Sequence, residues 1–391
     1  MEFELRRALA LNELRVYFQP RVNLAGGDIC GAEALIRWQH PERGLVPPSE
    51  FIPMAEKTGL ILPLGEWVVQ NVCRQQRVWL DRGLSVPPVA VNLSALQFRQ
   101  KNLVQFIRQE LAVNQLDAKY LEIEITESTL MDSVDEAAAT LQELRTTGIK
   151  ISLDDFGTGH SSLSRLRRLP IDHLKIDQSF VCNLTTEPED AAICLAIIGL
   201  AHNLRMSVIA EGVETEGQAN YLRQHHCDEM QGYYFSRPLP ADDFEELLVL
   251  RRTLILPPQP THERRTLLLV DDEANVLSAL KRVLRLDGYD IITASSAREG
   301  LELLSIHPVQ VIVSDQRMPE MSGSEFLSRV RDLHPHTVRL VLSGYADLRS
   351  VSEAINRGAI YKFLTKPWDE GMLRSDLREA FLHFESGHRK R

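Results

Sequence analysis

The sequence has 391 residues, 44% of them hydrophobic and 25% charged, which allows two or three ordinary soluble domains, each burying its own core. Its formal net charge of -10 argues against non-specific nucleic-acid binding, because a phosphate backbone is gripped mainly through Lys and Arg. No run reaches the roughly 18 to 20 apolar residues of a membrane span, and Cys30, Cys73, Cys182, Cys194 and Cys227 form no C-x-x-C pair, so reduced thiols in the cytoplasm are expected.

The chain opens with MEFELRRALALNEL, charges interleaved among Leu and Ala at helical spacing, with no uninterrupted apolar stretch of a signal peptide. Over about the first 250 residues, short apolar runs then alternate with longer helical patterns, the rhythm of repeated β/α units. The runs PVAVNLS, YLEIEITES, IKISLDD, HLKID and SVIAEGVE end in Asn92, Glu124, Asp154 with Asp155, Lys175, and Glu211 with Glu214. In a parallel β/α barrel the C-terminal ends of the strands open on one face, so these groups are predicted to converge on one pocket. In YLEIEITE, Leu121, Ile123 and Ile125 share one face while Glu122 and Glu124 share the other, and alternation does not say which glutamate is used.

The DFG at Asp155 to Gly157 lacks the glycine-rich and H-R-D loops of a protein kinase, and Leu163 stands where G-x-S-x-G requires glycine. AAICLAIIGLA, Ala191 to Ala201, reads as a buried helix, and HHCD at His225 to Asp228 as structural, since zinc needs three or four ligands. The strand-end donors are almost all oxygen, which suits Mg²⁺ or Mn²⁺. Such ions would make adjacent aspartates tolerable, and two of them about 3.5 to 4 Å apart are a known device for cleaving phosphodiesters. Three prolines in LILPPQPTHERR, Leu254 to Arg265, favour an extended spacer and place a domain boundary there.

The ordered motifs EALIRW (Glu33 to Trp38), VNLS, EITE, DDFGTG, KID, EGVE and QGYYFSRPLP resemble the EAL domain, the bacterial phosphodiesterase of cyclic di-GMP. The resemblance implies a modified (β/α)8 TIM-like barrel holding two Mg²⁺ or Mn²⁺ ions and hydrolysing cyclic di-GMP to linear pGpG. Carried over by position, Glu33, Asn92, Glu124, Asp154, Asp155 and Glu211 resemble the metal-binding set. Lys175 resembles the lysine that orients the attacking water, and Glu211 is also a candidate base, which makes Glu33, Lys175 and Glu211 the implied catalytic residues. Glu214 and Gln231 resemble supporting residues, Arg37 a phosphate contact, and Glu127 the glutamate that steadies the DDFGTG loop. His160 departs from the tyrosine usual after GTG. EAL domains of this kind often pair near that loop, so a homodimer is expected, and the start of the chain is compatible with a longer parent protein.

From Thr266 to about Leu382, TLLLVDDE, VQVIVSDQRMP, TVRLVLSGYAD and AIYKFLTKPW form buried strands each ending in a polar residue, and this segment resembles a response-regulator receiver. That resemblance implies a doubly wound, flavodoxin-like fold with ligands at the carboxyl ends of the strands. Asp271 and Asp272 would hold Mg²⁺, Asp315 would accept a phosphoryl group from a cognate histidine kinase or other phosphodonor, and Ser343, Phe363 and Lys366 would read it. The expected domains are 1–250, a linker at 251–265, the receiver at 266–382 and a basic tail at 383–391. The expected function is a phosphodiesterase controlled through Asp315, with a non-catalytic cyclic di-GMP receptor or scaffold as the alternative. The complete ligand set favours the enzyme.

Overall fold

The computed structural model describes residues 2–131, 134–157, 166–256, 265–344 and 359–388, and the chain forms two compact units. In the first, ten strands make one sheet: β1 (Leu14–Asn23), β2 (Ile29–His40), β3 (Gly44–Val46), β4 (Val89–Leu93), β5 (Leu121–Thr126), β6 (Lys150–Phe156), β7 (His173–Ile176), β8 (Ser207–Ala210), β9 (Glu229–Gln231) and β10 (Leu239–Pro240). Their order is β10-β1-β9-β8-β7-β6-β5-β4-β2-β3, and pairing of β1 with β2 closes eight of them into a barrel. β3 and β10 only extend the rim.

The barrel is modified in one respect that the chain itself explains. β1 and β2 are joined by a tight turn, in which the Asn23 carboxamide oxygen accepts from the Ala25 and Gly26 amides, so the two strands form an antiparallel hairpin. The connections from β3 to β4, β4 to β5, β5 to β6, β7 to β8 and β8 to β9 carry helices, and β2 with β4 to β9 run parallel. Outward faces pack on those helices. The helix Ile61–Asp81 buries Ile61, Leu64, Val68, Val72 and Trp79 at helical spacing, and the Trp79 ring lies 4.9 Å from Phe18 of β1 and 5.3 Å from Phe244. The helix Pro188–Asn203 contains the apolar run read from sequence; Cys194, Ile197, Ile198 and Ala201 are buried, whereas Ile193 is exposed.

The second unit holds β11 (Thr266–Val270), β12 (Asp290–Ala294), β13 (Val311–Asp315), β14 (Val338–Ser343) and β15 (Lys362–Thr365), all parallel in the order β12-β11-β13-β14-β15. This is the doubly wound, flavodoxin-like order. Leu267, Leu269, Val311, Val313, Leu340 and Leu342 form its core with Leu377 and Phe381 of the last helix. Among the described residues, no helix of the chain is long and apolar enough to cross a membrane. Residues 257–264 of the proline-rich joint, His160 with the rest of its loop, and the last three residues lie outside the described residues.

Candidate active site

Because side chains two apart on a strand share a face, the barrel interior is built in layers. The lower layer holds Arg21, Glu122, Ser152, His173 and Glu229. The upper layer, two residues away on the same strands, holds Gln19, Glu124, Asp154, Lys175 and Gln231, joined by Glu33 of β2, Asn92 of β4 and Glu211 just beyond β8. The ambiguity between the two glutamates of β5 is thereby resolved. Arg21 donates to both oxygens of Glu122, at 3.0 and 2.8 Å, while Glu124 Oε2 accepts from Lys175 Nζ at 2.8 Å.

Lys175 is the hub of the upper layer. Its buried ammonium lies 2.8 Å from Glu124, 2.5 Å from Glu211, 3.6 Å from Asp154 and 3.7 Å from Glu33. Asn92 Nδ2 and Gln231 Nε2 donate to the two oxygens of Glu33, each at 2.6 Å. Burial pushes Glu33 up, but Lys175, Gln231 and Asn92 outweigh it and hold the carboxyl below its ordinary value. Burial wins at Glu124, raised well above the carboxylate range despite Lys175, with Glu33 and Asp154 adding to the effect. Burial also raises Glu211, against Lys175 and with Asp154, to about 7. At Lys175 burial works against the charge, yet the surrounding carboxylates hold its pKa well above the ordinary value.

The paired aspartates reach one pocket through a backbone irregularity. In a regular strand Asp154 and Asp155 would face opposite ways. Here the register of β6 on β7 shifts between Leu153 and Phe156, and Asp155 adopts φ 56°, a left-handed conformation that aspartate tolerates better than most residues. The Asp154 carboxylate accepts from the Asp155 amide at 2.9 Å, and both side chains line a cavity of about 310 Å³ with Glu33, Glu211, Glu214 and Gln231. Gly232 makes its floor possible, since a Cβ there would lie 2.1 Å from the Val213 carbonyl oxygen.

In the second unit, Lys366 Nζ lies 2.9 Å from Asp271 and in contact with Asp315, at the carboxyl ends of β15, β11 and β13. Burial raises Asp271 against the pull of Lys366, and the two aspartates raise Lys366 against its burial. Asp272 is exposed beside Asp271, Ser343 ends β14, and Phe363 is partly exposed on β15.

The EAL domain family matches residues 2–238, and the response regulator receiver domain matches 267–378. The chain belongs to the EAL family. It is similar to the bifunctional diguanylate cyclase/cyclic di-GMP phosphodiesterase MucR of Pseudomonas aeruginosa, 46% identical over 239 residues, 61% of this chain and 35% of that protein. It is also similar to the cyclic di-GMP phosphodiesterase NbdA of the same organism, 44% identical over 258 residues, 66% of this chain and 33% of that one. The chain thus spans about a third of the length of these relatives. Among solved structures, the MucR phosphodiesterase of P. aeruginosa in complex with c-di-GMP is 46% identical, with a TM-score of 0.60, covering 62% of this chain and 98% of that one. The EAL domain of Mycobacterium smegmatis DcpA is 32% identical, with a TM-score of 0.54, covering 62% and 100%.

Of the residues read from sequence, Glu33, Asn92, Glu124, Asp154, Asp155, Lys175, Glu211, Glu214 and Gln231 are brought together in or around this EAL pocket. Arg37 stands further along β2, its guanidinium 5.7 Å from the centre of the Tyr17 ring. Glu127 begins a short helix and is buried with both carboxylate oxygens unpaired among the described residues; of the DDFGTG loop it was expected to steady, residues 158 and 159 lie outside them. Sequence reasoning missed Gln19, Asp177 and Tyr233, which also line the pocket. Asp177 could have been found, since it ends the same HLKID run as Lys175.

Proposed function

We propose that the EAL unit hydrolyses cyclic di-GMP to linear pGpG with two Mg²⁺ or Mn²⁺ ions, and that phosphorylation of the receiver at Asp315 regulates it. The observation that carries the reading is the charge at the pocket. Glu33, Glu124, Asp154, Asp155 and Glu211, with Asp177 and Glu214 on the same wall, set an excess of carboxylate against the Lys175 ammonium, which divalent cations would offset. Among the described residues no three His, Cys, Asp or Glu side chains are gathered tightly enough to hold an ion as they stand. The cause lies in Lys175, around which the carboxylates are turned. Glu124 Oε1 and Gln231 Oε1 are nevertheless buried without a hydrogen-bond partner among the described residues, and such orphaned acceptors in an oxygen-rich set fit a hard cation.

When bound, the ions would activate water and stabilise the leaving oxygen of the phosphodiester. Glu33, Asn92, Glu124, Asp154, Asp155 and Glu211 would hold them, with Gln231 and Asn92 fixing the Glu33 carboxylate. Lys175 orients the attacking water, and Glu211, 2.5 Å from its ammonium, is the candidate base beside it. Arg37 contacts a substrate phosphate, and Glu214 supports the pocket wall. A second cavity of about 300 Å³, lined by Ile52, Ile61, Leu64 and Leu93 and ending at Asn92 and Thr126, offers apolar surface for a purine ring.

In the receiver, Asp271 and Asp272 would hold Mg²⁺, Lys366 would pair with the phosphoryl group on Asp315, and Ser343 and Phe363 would respond to it. The phosphodonor is a histidine kinase or a small acyl phosphate. We assign the phosphodiesterase to residues 1–250 and the receiver to 266–382, between a linker and a basic tail, and expect a homodimer. The test is pGpG formation with Mg²⁺ or Mn²⁺, lost with excess chelator and lowered by orders of magnitude in Glu33→Ala. Binding of cyclic di-GMP without pGpG would make the unit a receptor.

A further inference from the structure

The lower layer of the barrel is a ring of buried charge with no part in the proposed chemistry. Arg21 of β1 is 2% exposed and reaches across the interior to Glu122 of β5, with both pairs of atoms in hydrogen-bond contact at 3.0 and 2.8 Å. Its Nε lies 2.6 Å from Glu229 of β9. Glu122 in turn meets His173 Nδ1 of β7 at 2.9 Å and accepts from the Ser152 hydroxyl of β6. Gly31 of β2 stands opposite Arg21, and a Cβ there would lie 2.6 Å from a guanidinium nitrogen. The space for the guanidinium is therefore reserved by a glycine.

Each member of this ring sits two residues from a member of the layer above: Arg21 and Gln19, Gly31 and Glu33, Glu122 and Glu124, Ser152 and Asp154, His173 and Lys175, Glu229 and Gln231. Strands are stiff over two residues, so a shift of β5 or β9 at the lower layer carries Glu124 or Gln231 with it. Stability alone does not explain such a ring, because well-packed apolar side chains of similar volume commonly serve as well as a buried ion pair or better. A planar, bidentate guanidinium fixes distance and angle where apolar packing does not.

We propose that Arg21 is a positioning residue, a cross-brace through the barrel that sets the spacing of the carboxylates above it for divalent cations. The proposal rests on the metal reading of the pocket. It is tested in the full chain carrying Asp271→Asn and Asp272→Asn to silence the receiver's cation site, with Mn²⁺ affinity measured by electron paramagnetic resonance and folding by circular dichroism. Arg21→Met, assayed at a temperature where it is folded, is expected to bind Mn²⁺ about tenfold more weakly, the scale of losses seen when supports of metal ligands are removed. Gly31→Ala keeps every charge and displaces the guanidinium; it is the milder variant should Arg21→Met not fold, and is expected to weaken Mn²⁺ binding in the same direction. Arg21→Met with Glu122→Gln and Glu229→Gln removes the uncompensated charge, and should regain thermal stability without regaining affinity. A parent chain that binds no Mn²⁺ overturns the metal reading and this inference with it. Parent-like affinity in folded Arg21→Met or Gly31→Ala, or full recovery of affinity in the neutral triple variant, overturns the brace alone.

Discussion

At the scale of single residues, the pocket is a set of carboxyls kept apart in pKa by their surroundings. Glu33 is held down by Lys175 and two amides, whereas Glu211 is pushed up to about 7 by burial and its acidic neighbours. The unfolded chain releases the Glu211 proton near 4.5, so between 4.5 and 7 the folded state binds more protons than the unfolded one, and metal-free stability falls as pH rises through that window. At about 1.4 kcal/mol per unit the full effect is on the order of 3 kcal/mol. Divalent cations need the deprotonated carboxylate, so the rise in Tm given by Mn²⁺ should be larger at pH 8 than at pH 5.5, and Glu211→Gln should flatten the difference. Tryptophan fluorescence suits the measurement, because Trp38, Trp67 and Trp79 lie in the barrel and only Trp368 in the receiver. An Mn²⁺-induced shift independent of pH would remove Glu211 from the ligand set. A second substitution addresses the paired aspartates. Asp155→Ala keeps the strand but places a residue that disfavours φ 56° at the bulge, costing about 1 to 2 kcal/mol of strain as well as a carboxylate. Asp155→Asn should keep the fold and lose only the charge. Equal Tm in the two variants would show that the left-handed conformation carries no cost.

At the scale of elements, the strand-end pattern matches the placement of pocket residues where an apolar run stops at a polar one, and does not where a strand continues past a residue lining the pocket. Asn92, Asp154, Lys175 and Glu211 fall at or beside the ends of short strands. Glu33 sits near the middle of the 12-residue β2, because its hairpin with β1 keeps both strands paired on either side of it. Nothing in local periodicity marks it, and the motif resemblance alone had singled it out. Asp155 was expected in the pocket, but the left-handed turn that brings it there was not legible, since strict alternation puts it on the other face. Nothing in the local sequence singles out Arg21, which the fold places against Glu122, 101 positions away. Packing outside the barrel is separable from the pocket, and this gives an element-scale prediction. Trp79→Ala opens the cluster with Phe18 and Phe244 and should cost about 3 to 5 kcal/mol. Urea unfolding followed by circular dichroism would measure it. The folded fraction should retain its Mn²⁺ affinity; loss of affinity in proportion to stability would mean that outer packing sets the metal geometry too.

At the scale of the whole molecule, the question is whether events at Asp315 reach the phosphodiester pocket. The receiver would supply the switch, with Lys366 between Asp271 and Asp315 and Ser343 at the end of the neighbouring strand. The joint between the domains contains Pro257, Pro258 and Pro260, and a proline-rich spacer transmits movement better than a Gly/Ser tether of the same length. Stiffness alone creates no coupling. Phosphorylation must favour one arrangement of the two domains, or of two chains, by a difference in free energy. A coupling of about 1 to 3 kcal/mol would change the equilibrium roughly 5- to 150-fold. Beryllofluoride, a mimic of the phosphoryl group, should therefore alter the rate of pGpG formation, and Asp315→Asn should abolish the response while leaving basal turnover in place. The measurement belongs across a range of protein concentrations. A response that grows with concentration assigns the switch to pairing of chains, and one that does not assigns it to the two domains of a single chain. Equal turnover with and without beryllofluoride at every concentration would reduce the receiver to a docking module, because a ligand with equal affinity for both states shifts neither population.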